Sequence, residues 1–139
     1  MRTTIITIAI VAMATLASVA SARQDAGQTP RTVKEVMTTM TIPASDAIFA
    51  GSAEPPTAAE GWGAIRKQAV TLAESGKLLM TDALAKDKAK WMEMARALVQ
   101  EAETVMKAAD AKDRDALEQA SDRVYATCEA CHERYMAAN

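Results

Sequence analysis

Four stretches of this chain repeat apolar residues every three to four positions, a period that only packed helices satisfy. The clearest is Trp91, Ala95, Leu98, Ala102 and Val105, widened by Met92, Val99 and Met106, in a segment of about residues 87–109. A stripe that wide suits a bundle helix rather than the narrow seam of a two-stranded coiled coil. The stretch of about 113–137 carries Leu117, Ala120, Val124, Cys128, Cys131 and Tyr135 on one face. From residue 57 or 58 to 81 the stripe is Trp62, Ile65, Ala69, Leu72, Leu79 and Ala83, with Gly76 in the missing slot. A glycine there costs about 1 kcal/mol against alanine and invites close approach of another helix or of a cofactor.

The remaining helix spans about 31–50 and shows Val33, Val36, Met37 and Met40 on one face. Thr32 and Glu35 form a capping-box pair at its start. Pro43 lies inside it, and an interior proline removes a hydrogen bond and clashes with the preceding turn. A kink or a break is therefore expected near Thr41-Ile42. Gly and Pro mark residues 51–61 as a loop, and residues 110–115 form a turn. Ala, Met, Leu, Glu and Lys dominate, and no period-2 pattern or internal repeat is present. The expected fold class is all-α, an antiparallel four-helix bundle, an architecture that often holds a cofactor between facing helices.

The N-terminus has a different character. Arg2 precedes an apolar run from Ile5 to Val19, and Ala20-Ser21-Ala22 supplies a small-x-small cleavage pattern. Residues 1–22 read as a cleaved signal peptide, 23–30 as a flexible lead-in and 31–139 as the folded domain. The run is short for a membrane span, so an uncleaved anchor is the lesser reading and no membrane association is expected after cleavage. The expected location is the periplasm. The formal net charge is −2, and losing Arg2 makes the remainder more acidic, which gives nucleic acid no reason to bind.

Both cysteines of the chain fall in Cys128-Glu129-Ala130-Cys131-His132, the C-x-x-C-H attachment signature of c-type haem. Two cysteines at i and i+3 project from one side of a helix. Each thiol there can add to one haem vinyl group, and the adjacent imidazole of His132 then faces the iron. Thioredoxin-like chemistry would need a βαβ setting, which is missing. A zinc site would need further Cys or His ligands, and the chain has one His and two Cys. A structural disulfide in an exported helical domain without haem is the remaining alternative.

The exported precursor, the helical bundle and Cys-Glu-Ala-Cys-His-Glu-Arg-Tyr (128–135) close to the C-terminus resemble the class II c-type cytochromes. These are the cytochrome c prime family and its low-spin Met/His relatives. The resemblance covers nearly all of residues 31–137. It implies one covalently bound haem c and its iron, no catalytic residues, redox partner proteins and, commonly in the family, a homodimer. In the low-spin members a methionine on the first helix is the sixth iron ligand, and Val33-Lys34-Glu35-Val36-Met37 looks like that site. Met37 is thus the implied partner of His132, with Met40 one turn away as the alternative. Other members leave the sixth position open and bind gases such as NO or CO. One departure weighs against that chemistry: the basic residue that commonly follows the tyrosine after the haem motif is Met136 here, and Arg134 points elsewhere.

With two strong ligands the iron mainly exchanges electrons, and with one it also binds small molecules. The expected function is accordingly periplasmic electron transfer by a monohaem cytochrome, the rival being a five-coordinate gas-binding protein. The other methionines read as core filler. Trp62 and Trp91 read as bundle core, and Tyr135 as packing on the haem edge. Arg123 reads either as a partner for a haem propionate or as a solvated ion pair.

Overall fold

A computed structural model describes Pro30 and residues 32–136 of the chain. The expected signal peptide and nearly all of the lead-in lie outside the described residues, as do 137–139. The chain makes four long helical passes. The first is built in three parts, α1 (Val33–Val36), a π-helical turn (Met37–Thr41) and α2 (Ile42–Ala53). It is followed by α3 (Ala59–Leu79), α4 (Lys90–Ala111) and α5 (Arg114–Tyr135).

Local chemistry sets the ends of these helices. Thr32 Oγ1 accepts from the Glu35 amide at 3.1 Å while Glu35 Oε2 accepts from the Thr32 amide at 3.0 Å, the reciprocal capping box expected from sequence. Asp87 Oδ1 accepts from the amides of Lys90 and Trp91 and so starts α4, and Asp113 Oδ1 caps α5 through the Ala116 amide. Between α4 and α5 the chain reverses at Lys112, whose φ of 55° lies in the left-handed region. The Asp113 amide returns there to the Ala108 carbonyl at 3.0 Å, closing a Schellman-type end.

The helices pack in sequence around one core, with α2 against both α3 and α5, α3 against α4, and α4 against α5. Paired contacts show neighbours running antiparallel. Arg66 meets Asp110 and Trp91 meets Leu79 across α3 and α4, while Arg123 meets Glu101 and Tyr135 meets Trp91 across α4 and α5. α3 and α4 pack tightly at Gly76, since a Cβ built on it would stand 2.8 Å from Val99 Cγ2 and 3.3 Å from the Ala95 carbonyl oxygen. The empty slot in the α3 stripe therefore serves helix packing, not a cofactor. Trp62 and Trp91 are both buried, as expected of core residues.

One expectation needs correction. Ala83 lies beyond the end of α3 and is exposed, because that helix stops at Leu79 and leaves a ten-residue connection, 80–89. The irregularity expected near Thr41-Ile42 is present and takes the form of a π turn over Met37–Thr41, after which α2 continues through Pro43.

Candidate haem site

α5 places Cys128, Cys131 and His132 along one edge of a cavity enclosed by all four helical passes. Its interior is about 190 Å³, with about 820 Å³ of free space counted out to its mouth. Met37, Thr41, Ser45 and Phe49 line it from the first helix, and Trp91, Ala95 and Leu98 from α4. Neither Lys nor Arg borders it.

The thiols of Cys128 and Cys131 are free and half-buried. Burial pushes both above the ordinary thiol value, and Cys128 is raised further by Cys131 beside it. At neutral pH both are thus uncharged thiols, and the slot carries no thiolate needing a counter-ion. Trp91 holds the opposite wall. Its Nε1 donates to the Leu79 carbonyl at 2.6 Å, which anchors the indole and satisfies a carbonyl at the open end of α3.

Met37 reaches the cavity because of the π turn. In a continuous α-helix Met37 would stand about 80° round from Ser45 and about 120° from Phe49. Widening five residues to roughly 4.4 per turn cuts both offsets to about 30° or less. Met37 then lies close to one line with Ser45 and Phe49, both of which border the cavity. Pro43 supplies the cause. It has no amide hydrogen, and in α geometry its ring would press on the Thr39 carbonyl. The Ile42 amide accordingly reaches back five residues to the Met37 carbonyl. The hydroxyls of Thr38, Thr39 and Thr41 donate to the carbonyls of Lys34, Glu35 and Val36, at 2.9, 2.6 and 3.4 Å, and so tie the widened turn back onto α1.

The structure therefore brings Met37 together with Cys128, Cys131 and His132, and leaves Met40 off the cavity wall. Tyr135 does not border the cavity. It packs edge-on against Trp91, with ring centroids 4.9 Å apart, and donates to Asp87 Oδ2. Arg123 is bonded to Glu101 at 2.8 Å and also stands clear of the cavity, which is the solvated ion pair of the two readings. Arg134 lies over the Tyr135 ring, 5.6 Å from its centroid. Thr41, Ser45 and Phe49 escaped the sequence reading. Their 4-4 spacing is visible in the sequence, but only to a reader who carries the helix through Pro43.

The Cytochrome C' family matches residues 67–136. The chain belongs to that family. No curated protein and no solved structure matches it. Cytochromes c′ bind haem c, with its iron, covalently, and this member has residues that fit it. Two thiols on one helix face could hold the two vinyl positions, His132 one residue on could offer its imidazole to the iron, and the apolar walls suit a flat macrocycle. No Lys or Arg among the described residues borders the cavity to pair with a propionate. The match includes α4, α5 and most of α3, and so contains the C-x-x-C-H motif. It begins after the first helix, so it has no bearing on Met37.

Proposed function

We propose that this cytochrome c′ family member is an exported, monohaem electron-transfer protein whose iron is held by His132 and Met37. The observation that carries the reading is the convergence of Met37 with Cys128, Cys131 and His132 on one apolar cavity, while Met40 stands off it. Haem supplies a one-electron Fe(III)/Fe(II) couple when bound, and a thioether ligand favours the reduced form and raises the potential. Cys128 and Cys131 fasten the group to α5. His132 ligates from that helix and Met37 from the facing one. The bundle core behind them, with Val36, Leu98 and Val124 buried, resists ligand movement as the charge on iron changes.

Electrons pass to and from donor and acceptor proteins in brief encounters, and no substrate is turned over. Arg2 and the apolar run from Ile5 to Val19 direct the chain to the periplasm, and cleavage after Ala20-Ser21-Ala22 leaves a mature protein that begins at Arg23. The absorption spectrum of purified protein in both redox states tests the reading. A low-spin oxidised form with a weak methionine-to-iron band in the near infrared supports it. A high-spin form that takes up carbon monoxide at once replaces it with five-coordinate gas binding.

A further inference from the structure

His132 lies in the last turn of α5, a helix that ends at Tyr135. A helix holds its last turn poorly, because the final carbonyls have no partners within the helix and the end opens first. The Met136 amide closes this one once, on the His132 carbonyl at 2.8 Å. His132, Glu133 and Arg134 are exposed, so their burial holds little. Tyr135 is the exception. It is half-buried, and its phenol donates to Asp87 Oδ2 at 2.6 Å, the short range of a bond to a charged carboxylate. Among the described residues, no other side-chain hydrogen bond or ion pair joins residues 128–136 to a different helix or connection.

The anchor is itself fixed on two further helices. Asp87 Oδ1 accepts from the amides of Lys90 and Trp91, at 2.9 and 3.2 Å, in the first turn of α4. The Tyr135 ring stands edge-on to Trp91, and the Trp91 Nε1 donates to the Leu79 carbonyl at the end of α3. Trp91 borders the same cavity as His132. One carboxylate in the connection 80–89 thus ties the turn that carries the imidazole to the wall that the imidazole shares. Tyr135 follows His132 by three residues, so the two are neighbours on the helix surface and move together.

We propose that Asp87 and Tyr135 are positioning residues for His132, their bond fixing the direction from which the imidazole meets the iron. The inference rests on the reading that His132 ligates iron and is independent of the sixth ligand. Partners outside the ligand shell commonly orient a metal-binding histidine through its free ring nitrogen. Here the pair acts through the helical turn instead.

Resonance Raman spectra of the ferrous, haem-loaded protein test this. A Met37→Ala/Met40→Ala background opens the sixth position whichever methionine fills it, and so makes the iron–imidazole stretch visible. Tyr135→Phe keeps the ring on Trp91 and removes only the hydroxyl, so the fold should survive. The stretch should move to lower frequency and broaden, and the amides of residues 132–136 should exchange about tenfold faster. Arg66→Gln, which cuts the ion pair to Asp110 at the opposite end of α4, should move neither. An unmoved stretch in Tyr135→Phe, or an equal shift in Arg66→Gln, would overturn the proposal. Absence of the stretch while Tyr135 is intact would overturn ligation by His132, and the proposal with it.

Discussion

The phenol of Tyr135 donates to Asp87 Oδ2 at 2.6 Å, tying the last turn of α5 to the residue whose other oxygen starts α4. One carboxylate thus closes the end of the bundle that carries the C-x-x-C-H motif. The Tyr135 hydrogen bond is the main reason the Asp87 carboxyl sits below its usual 3.8, with the amides of Trp91 and Lys90 acting in the same direction. A carboxylate lowered in the folded state stabilises the fold above its unfolded pKa, and that contribution is lost as pH falls through the folded value. Melting temperature between pH 2 and 6 should therefore fall more steeply in the parent than in Asp87→Asn, and at pH 7 Asp87→Asn should melt lower. Parallel profiles would show that this bond contributes nothing.

Covalent attachment has a direct check. Haem should remain with the chain through acid–acetone extraction and denaturing electrophoresis. Cys128→Ala and Cys131→Ala should each lower the yield of holoprotein and leave a single thioether. Both thiols are needed because they lie one helical turn apart on the same face of α5, each within the cavity wall.

Iron ligation separates Met37 from its neighbour. Met37→Ala should abolish the near-infrared band, admit carbon monoxide and lower the reduction potential, because it removes the ligand that favours Fe(II). Met40→Ala should leave all three unchanged, since Met40 does not border the cavity. Equal effects of the two substitutions would reject the assignment.

The π turn can be tested apart from the ligand. Thr41→Val keeps the side-chain volume but removes a cavity-lining hydroxyl that gives the Val36 carbonyl a second donor at 3.4 Å, beside the π-turn amide. Pro43→Ala restores a donor and lets the helix relax toward α geometry. Both should weaken Met37 ligation, read as a partial high-spin spectrum, whereas Pro43→Ala alone should raise far-ultraviolet helical content. A fully low-spin spectrum in both would show that the turn is not what holds Met37.

Close packing at Gly76 predicts the sign of a substitution that helix propensity alone would get wrong. Gly76→Ala gains about 1 kcal/mol of propensity. It also places a Cβ 2.8 Å from Val99 Cγ2 and 3.3 Å from the Ala95 carbonyl oxygen, and neither the β-branched side chain nor the backbone of α4 gives way easily. Overpacking costs about 1–3 kcal/mol. The net loss should be about 1 kcal/mol, seen as a melting temperature several degrees lower. An unchanged or higher value would show that α4 yields.

Helix number, order, stripes and the haem motif were legible in the residues because each depends on neighbours within one or two turns. Leu117, Ala120 and Val124 lie on one face by spacing alone, and the Thr32–Glu35 box closes within three residues. The C-x-x-C-H chemistry is equally local, since two thiols and an imidazole on five successive residues need no other element to bring them together. Pro43 announced an irregularity but not its form. A helix meeting a proline can bend, break or widen, and the choice turns on whether the freed carbonyls find donors and what packs against the turn. Here the burial of Val36 and Ile48 on either side favours widening. Asp87 was invisible as a tie for Tyr135 because the two are 48 residues apart. The sequence by itself determined four amphipathic helices and a covalent haem motif, both consequences of short-range spacing. Only the tertiary structure puts Met37, and not Met40, on the cavity that Cys128, Cys131 and His132 border, because that depends on the angular register of one helix against another, and a single widened turn resets it.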